Sequence, residues 1–375
     1  MLPFEVKFYS THLFYLWIDT VTYLGVFRHE SISRGHLTGR ESSSKTFNKR
    51  RKLHSRSFEH AQQTKTMRKG YDFGWILVLS ALFTFSDASS QTVNQELSNI
   101  FNELWKLDVN RLMPGTHYNI SLQGKAGYIP QGSTSAVDHA SSPLFTSVDE
   151  AKLNSMTTYA RFMKLLDNYE RSTGVAERVT AEEVTENNSF LDAVLETAVM
   201  KRAHRYLIGK GKSRSDLRQF KSQLYYMWFR LYHRDRNGGE DSSGFEHVFV
   251  GETKFGREIM GLHNWVQFYL QEKQELLDYK GYKARDNDAP NEDDHVLNVQ
   301  FSWHGLVKPV ASAFVGVSPE FEMAIFTILF LTSTEKTTTA VVNLDEYQLE
   351  MVVHRHGRSI GTAYPKLLSS NNRHV

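Results

Sequence analysis

The feature of this sequence that most constrains its fold is a change in hydrophobic pattern near residue 240. Between residues 92 and 233, apolar residues recur three and four positions apart, which is the spacing of amphipathic helices. After residue 241 the apolar residues form short runs, rich in β-branched and aromatic side chains and separated by turn-forming residues. Helices followed by strands predict an α+β fold, with a mainly helical lobe over residues 91–240 and a lobe of antiparallel β-sheets over residues 241–372.

Particular elements follow from the same patterns. Three helices are predicted around apolar clusters at 97–105, 162–169 and 190–198. A further helix is predicted at 264–277. Strands are predicted for the apolar runs at 247–250, 297–303, 324–331, 340–342 and 349–354.

The composition excludes several classes of protein. Hydrophobic residues make up 40% of the 375 residues and charged residues 23%, which is typical of a folded soluble chain and not of a disordered one. There is no cysteine, so disulfide frameworks, thiol nucleophiles and cysteine-ligated metal sites are excluded.

The positive charge is concentrated at the N-terminus. Residues 1–66 contain 11 Lys and Arg residues against 5 Asp and Glu residues, whereas residues 67–375 contain 33 against 37. The main part of the chain therefore has a net charge of −4 and no long-range attraction for nucleic acid. Nucleic-acid binding there requires a local basic cleft.

The N-terminal 90 residues contain the pattern of a secretory signal that begins at an internal methionine. Met67 is followed by two basic residues, an apolar run at 75–85, and small residues at positions 88 and 90. We predict a signal peptide over residues 67–90, cleavage before Gln91, and a secreted domain over residues 91–375 with no membrane span. The apolar run is too short to cross a bilayer as a helix, and the alternative interpretation is a buried helix of the domain.

Residues 1–66 are predicted to be a basic leader that forms no domain, either disordered or a non-native extension of a chain that normally starts at Met67. The alternative is that the apolar stretch at 13–27 is a poor signal anchor. Two Asn-x-Ser sequons, at Asn119 and Asn187, have meaning only in a secreted protein. The acidic stretch at 286–294 lacks the glycine and the twelfth-position glutamate of an EF-hand and is predicted to be a solvated loop, with a calcium site on the basis of charge alone as the alternative.

Two histidines lie in the segments that are richest in side chains able to do chemistry, at 244–252 and 261–270. His263 precedes Asn264, a favourable N-cap with Gln267 at the capping-box position, so we expect His263 at a helix N-terminus, where the helix dipole keeps imidazole neutral. His247 has Glu246 and Glu252 nearby, and carboxylates favour the protonated ring. The pair therefore resembles a base and an acid for metal-free RNA cleavage, although two unrelated structural histidines remain the alternative.

These segments resemble the EndoU family of uridylate-preferring endoribonucleases. The resemblance extends over roughly residues 91–367 and rests on motifs in family order, at 244–252, 263–273, 278–282, 307–309, 318–322 and 362–367. It implies a catalytic triad of His247, His263 and Lys308, in which the lysine faces the charge that develops on phosphorus. It also implies supporting roles for Glu246 and Glu252.

A C-terminal pattern similar to that of the coronavirus uridylate-specific nuclease domain implies that Ser318 and Tyr364 bind the uridine. Both residues also have ordinary structural explanations, because Ser-Pro begins helices and Tyr-Pro ends strands. The ring of Tyr364 suits stacking on a nucleotide.

The resemblance implies an enzyme that cleaves single-stranded RNA at uridylates and leaves 2',3'-cyclic phosphate ends. We expect this enzyme to be monomeric and, from the signal pattern, secreted. It also implies stimulation by a divalent cation, Mn²⁺ or Ca²⁺, at an unknown site and outside the proton-transfer step. One alternative is a non-catalytic RNA or lipid-surface binder with the same fold. Another is a serine hydrolase, although the sequence at 316–319 lacks the second glycine of a nucleophile elbow.

Overall fold

The computed structural model describes residues 92–130, 132–235, 238–284 and 289–371. The expected leader at 1–66 and the expected signal peptide at 67–90 lie outside the described residues, as does the part of the acidic stretch at 286–288. Among the described residues, no helix combines the length and the apolarity needed to cross a bilayer.

The first half of the described chain is mainly helical. Its helices are α1 Gln95–Leu107, α2 Glu150–Ser155, α3 Thr157–Met163, α4 Ala181–Glu196, α5 Ala198–Gly209 and α6 Leu217–Trp228. Between α1 and α2 lie two short antiparallel strands, β1 Tyr118–Ile120 and β2 Phe145–Val148. The helix at 97–105 is confirmed. The cluster at 190–198 is helical but is divided at Thr197 between the end of α4 and the start of α5, and the helix expected at 162–169 ends at Met163.

The second half contains three antiparallel sheets and two helices. Its elements are β3 Glu252–Lys254, β4 Glu258–Met260, α7 Trp265–Lys273, β5 Leu277–Tyr282, β6 Val296–Trp303, β7 Leu306–Phe314, α8 Pro319–Thr332, β8 Thr337–Leu344, β9 Tyr347–His356 and β10 Ser359–Ser370. The sheet orders are β3-β4, β5-β6-β7 and β10-β9-β8. The expected α+β fold is confirmed.

Two of the expected strands are wrong. The run at 247–250 belongs to a π-helical turn, Glu246–Val250, and the run at 324–331 belongs to α8. Every residue of α8 from Pro319 to Phe330 is buried, so no polar face reveals a helical period. The informative signal was Ser318-Pro319, an N-cap followed by proline at the first helical position.

An aromatic cluster fixes the π-helical turn against the helical lobe. The rings of Phe245 and Phe249 pack on Phe162 of α3, with Phe249 also against Trp228 of α6, at centroid distances of 5.3–5.7 Å. Aromatic pairs at these distances stabilise a packed core beyond the area that they bury. The position of His247, which lies between these two phenylalanines in sequence, is therefore set by the core.

Candidate active site

The turn that contains His247 begins with a capping box. Ser243 Oγ accepts a hydrogen bond from the backbone N–H of Glu246 at 3.1 Å, and Glu246 Oε2 accepts one from the N–H of Ser243 at 3.2 Å. Glu246 is fully buried, and burial raises the pKa of its carboxyl well above the usual range, with Glu252 adding to the rise. Glu246 therefore acts on His247 through the backbone of the turn, and the expected direct effect on its ring is not what the structure shows.

Glu252 contacts the ring of His247, as expected. Glu252 Oε1 lies 2.6 Å from His247 Nδ1 and also 2.6 Å from Nε of Arg234. Arg234 is held in turn by Gly361, whose carbonyl accepts from Nη2 at 2.7 Å. A carboxylate at Nδ1 fixes the tautomer that has its lone pair on Nε2, and it stabilises the imidazolium when one forms.

The two histidines are brought together by a close approach of two backbone segments. The N–H groups of Leu262 and His263 donate to the carbonyls of His247 and Val248, at 3.1 and 2.8 Å. A Cβ on Gly261, which has a φ of 62°, would lie 1.7 Å from the carbonyl oxygen of His247. Only glycine fits at position 261.

His263 lies at the start of α7, as predicted. Asn264 caps the helix, and its side chain accepts from the N–H groups of Val266 and Gln267. Gln267 does not complete a capping box, because its amide donates to the carbonyl of Val250 at 3.1 Å. His263 Nδ1 lies 2.9 Å from the carbonyl oxygen of Ser312, so Nδ1 carries the proton and Nε2 has the lone pair.

Two further predicted residues, Tyr364 and Lys308, lie near the two histidines. The rings of His247 and His263 lie 6.5 Å apart, and Tyr364 of β10 stacks on His263 at 4.9 Å with an interplanar angle of 20°. Lys308 of β7 donates to the carbonyl of Ile259 at 3.2 Å, on the strand just before His263. The structure thus brings together His247, His263, Lys308, Glu252 and Tyr364.

Both histidines are 7% exposed, and their pKa values fall well below the ordinary range. Burial is the largest cause for each, followed by Arg234 and Lys308 for His247 and by Lys308 for His263. The lowered pKa of His263 agrees with the expectation that its ring is neutral. The expectation that carboxylates keep His247 protonated is wrong for the unliganded protein, because burial and two cations outweigh Glu252.

Lys308 lowers the pKa of both histidines. Burial lowers the pKa of its ammonium group to about 8, although Glu258 and Glu252 oppose the change. At neutral pH the lysine remains mostly charged, and a cation in a poorly solvated site interacts strongly with a developing negative charge.

Ser318 does not join this group. Its hydroxyl accepts from the N–H of Phe321 at 3.1 Å and caps α8, and the residue is fully buried. Its own N–H donates to Asp108 at 3.2 Å. The prediction that Ser318 binds uridine is corrected to the structural alternative, because its hydroxyl is used by the helix that it begins.

Three residues at the site were not found from the sequence. Arg234 orients Glu252, and Ser312 accepts from His263 while its hydroxyl donates to the carbonyl of Pro365, next to Tyr364. Thr362, two positions from Tyr364 on β10, has a buried hydroxyl with no hydrogen-bond partner in the described part of the chain. Alternation along a strand places Thr362 and Tyr364 on one face, which is the one signal that the sequence contained.

The carboxylates near the histidines and in the described part of the acidic stretch do not assemble into a metal site. Glu246 is used in the capping box and Glu252 binds Arg234 and His247. Asp294, at the end of the acidic stretch, is 2% exposed and accepts from the N–H of Asn291 at 2.8 Å. Over residues 92–371, apart from the gaps at 131, 236–237 and 285–288, no three His, Asp or Glu side chains form a group able to hold a metal ion.

The fold and the paired histidines agree with comparisons with known proteins. The sequence profile of the family described as Endoribonuclease XendoU matches residues 96–365. The chain therefore belongs to the XendoU, or EndoU, family of endoribonucleases.

Close relatives and a solved structure belong to the same family. Uridylate-specific endoribonuclease C of Danio rerio is 91% identical over 309 residues, which cover 82% of this chain and 100% of the relative. Poly(U)-specific endoribonuclease of Xenopus tropicalis is 62% identical over 281 residues, 75% of this chain and 96% of the relative. The solved structure of XendoU, described as a splicing-independent snoRNA processing endoribonuclease, is 60% identical and superimposes with a TM-score of 0.68 over 75% of this chain and 100% of that one.

Proposed function

We propose that this protein is a uridylate-specific endoribonuclease that cleaves single-stranded RNA by attack of the 2'-hydroxyl on the adjacent phosphate. The observation that carries the mechanism is the pair of buried histidines 6.5 Å apart, each with Nδ1 already hydrogen-bonded. Nε2 of each ring is therefore available to the substrate. The separation of the rings suits a phosphate bound between them.

In the proposed reaction, Nε2 of neutral His263 accepts the proton of the 2'-hydroxyl, and the 2'-oxygen attacks phosphorus. The bond from phosphorus to the 5'-oxygen breaks, and His247 in its protonated form gives that oxygen a proton. The products are a 2',3'-cyclic phosphate and a 5'-hydroxyl. Lys308 stabilises the negative charge that develops on the phosphorane oxygens.

His247 acquires its proton when RNA binds. The negative phosphate counteracts the cations Arg234 and Lys308 that lower the pKa of the free imidazole. Glu252 at Nδ1 then stabilises the imidazolium. Binding of substrate thus prepares the acid, while Ser312 keeps His263 in the tautomer of a base.

Cleavage of an end-labelled oligonucleotide that contains one uridine tests this proposal. We expect cleavage after the uridine. The 5' fragment should end in a 2',3'-cyclic phosphate, which acid treatment opens to a monophosphate. A substrate with 2'-deoxyuridine at that position should remain intact, because it lacks the nucleophile. Cleavage of the deoxyuridine substrate would contradict the mechanism.

We propose further that the protein is secreted as a monomer after removal of a signal peptide at 67–90. The Danio rerio relative aligns over its whole length to 309 residues, which equals the number of residues from Met67 to Val375. This agreement supports a start at Met67 with residues 1–66 as an extension.

We also propose that Mn²⁺ or Ca²⁺ stimulates the enzyme from outside the proton-transfer step. The side chains of Glu246 and Glu252 are engaged by protein groups, and the net charge of −4 over residues 67–375 favours an ion that screens RNA phosphates. Chelation should raise KM and leave part of kcat at saturating RNA. Complete loss of kcat with RNA binding and fold unchanged would place the ion in the chemistry.

A further inference from the structure

The RNA-binding charge that the overall composition lacks is concentrated in one segment of the chain. Residues 201–234 contain ten Lys and Arg residues and a single carboxylate, Asp216. The rest of residues 67–375 contains 23 Lys and Arg residues against 36 Asp and Glu residues. This is the local basic region that a nucleic-acid-binding protein of negative net charge requires.

Part of this charge is neutralised within the fold and part is left exposed. Four of the ten basic residues form ion pairs with carboxylates of α1 or α4, namely Lys201, Arg202, Lys210 and Lys221. The exposed charges include Arg218 of α6 and Arg230 just beyond it, which lie in one line with Ser222 and the half-buried Tyr226 at a spacing of four residues. Residues at this spacing lie on one face of a helix.

The end of this line forms the wall of a groove of about 690 Å³. Lys221, Tyr225 and Arg230 are among the residues that line it, and Glu240 is its one carboxylate. Within the groove, Tyr226 is approached by two guanidinium groups, since the carbon atoms of Arg230 and Arg358 lie 4.6 and 4.5 Å from the ring centroid. Both arginines are exposed, and neither forms an ion pair with a carboxylate of the described chain.

A tyrosine with guanidinium groups on its ring combines the two features that bind single-stranded nucleic acid. Aromatic rings and guanidinium planes stack on bases without regard to sequence, and guanidinium N–H groups donate to phosphates. Because neither arginine is paired with a carboxylate of the described residues, RNA binding breaks no ion pair there.

Strand β10 connects the wall of the groove to the active site. Ser359, at the start of the strand, donates to the carbonyl of Tyr226 at 3.3 Å. Farther along, Arg234 donates to the carbonyl of Gly361, and Tyr364 stacks on His263. From residue 358 to residue 364 the strand extends about 20 Å, which is within reach of RNA bound at the catalytic histidines.

We propose that the groove at Tyr226, with Arg230 and Arg358, is an exosite that binds single-stranded RNA flanking the cleaved uridylate. The inference rests on the proposed endoribonuclease function and extends it to residues that no catalytic role explains. The exosite contributes affinity without sequence preference and leaves base selection to the catalytic centre.

The test compares Arg230→Gln/Arg358→Gln with the wild-type protein on two substrates, a 20-nucleotide oligoadenylate with one internal uridine and a trinucleotide with a central uridine. We expect kcat/KM on the long substrate to fall about tenfold or more, with the trinucleotide unchanged. Since each phosphate contact on single strands contributes about 0.7 to the salt dependence of binding, the slope of log Kd against log salt should decrease by about 1.4. Kd is measured with 2'-deoxyuridine in the long substrate, so that it stays intact.

Arg205→Gln/Lys336→Gln is the matched control, because it removes the same charge from two exposed positions outside the groove. An equal loss in the control, or an equal loss on both substrates in the test variant, would overturn the exosite. No loss in the test variant would overturn it as well. Failure of the wild-type protein to cleave either substrate would instead refute the proposed function.

Discussion

At the scale of single residues, Arg234 is the side chain whose importance the sequence conceals most. It binds Glu252, which binds His247, and it lowers the pKa of that histidine. We predict that Arg234→Gln lowers kcat/KM by about 10- to 100-fold and moves the His247 limb of the pH–rate profile to higher pH, because a nearby cation is lost. Arg234→Lys, which keeps the charge, should shift that limb less.

A lower rate for Arg234→Gln with an unmoved profile would mean that Arg234 only supports the fold. The melting temperature of each variant separates this case from unfolding.

The buried histidines also determine how the rate depends on pH. In the proposed mechanism, His263 of the free enzyme works when neutral and His247 when protonated, so we predict that two lowered pKa values put the optimum of kcat/KM on the acid side of 6.5. In the RNA complex the phosphate raises the pKa of His247, so the profile of kcat should extend to higher pH. Both profiles lose activity as Lys308 deprotonates, near pH 8 in the free enzyme.

The two profiles are measured at fixed ionic strength with subsaturating and saturating RNA. Coincident profiles centred above neutral pH would contradict the pKa directions on which this prediction depends.

The residues of the candidate active site were predictable where a local motif identified them. His247, His263, Lys308 and Tyr364 lie in segments whose order resembles one family, and the structure brings them together. Arg234 and Ser312 act through contacts with residues 18 and 49 positions away, and Ser312 uses its carbonyl, which every residue has. Such contacts leave no local pattern in one sequence.

At the scale of elements, a buried carboxyl at the start of α8 lowers the free energy of unfolding when it ionises, and this effect can be measured. Asp108 accepts from the N–H of Ser318, and burial, with Glu320 nearby, raises the pKa of its carboxyl to about 7. A raised pKa contributes stability that is present below pH 3.8 and is lost as pH rises through about 7. We predict that Asp108→Asn removes this loss and is more stable than wild type at pH 8 by up to about 4 kcal/mol.

Chemical denaturation of both proteins between pH 4 and pH 8 measures the difference. Asp192→Asn is the control, because its side chain is 61% exposed. A variant less stable than wild type at pH 8 would show that the charged carboxylate stabilises the helix start.

Elements were predictable from the sequence in proportion to their contact with water. α1 has buried residues at helical spacing and a polar opposite face, so its period was visible. α8 is buried on all sides and has no such period. The π-helical turn is five residues long and entirely buried, and its capping box, Ser243 to Glu246, was the sole local sign that it is not a strand.

At the scale of the whole molecule, the start of the mature chain is a testable consequence of the sequence pattern. Expression from Met67 in a secreting cell should export a protein whose N-terminus is near Gln91, because the apolar run and the small-residue cleavage site both follow Met67. N-terminal sequencing of the secreted material provides the measurement. Export of the full-length chain alone, with the shorter chain retained in the cytosol, would refute the internal signal.

The central claim is that two histidines and a lysine carry out the cleavage, and single-turnover cleavage by alanine variants tests it most directly. His247→Ala, His263→Ala and Lys308→Ala should each reduce the rate on a single-uridine oligonucleotide by about 100- to 10,000-fold, with little change in melting temperature, since each residue acts on proton transfer or developing charge. A substrate with an activated 5'-leaving group should rescue His247→Ala and not His263→Ala. A folded variant that retains nearly the wild-type rate would contradict the claim for that residue, and rescue of His263→Ala alone would reverse the roles of acid and base.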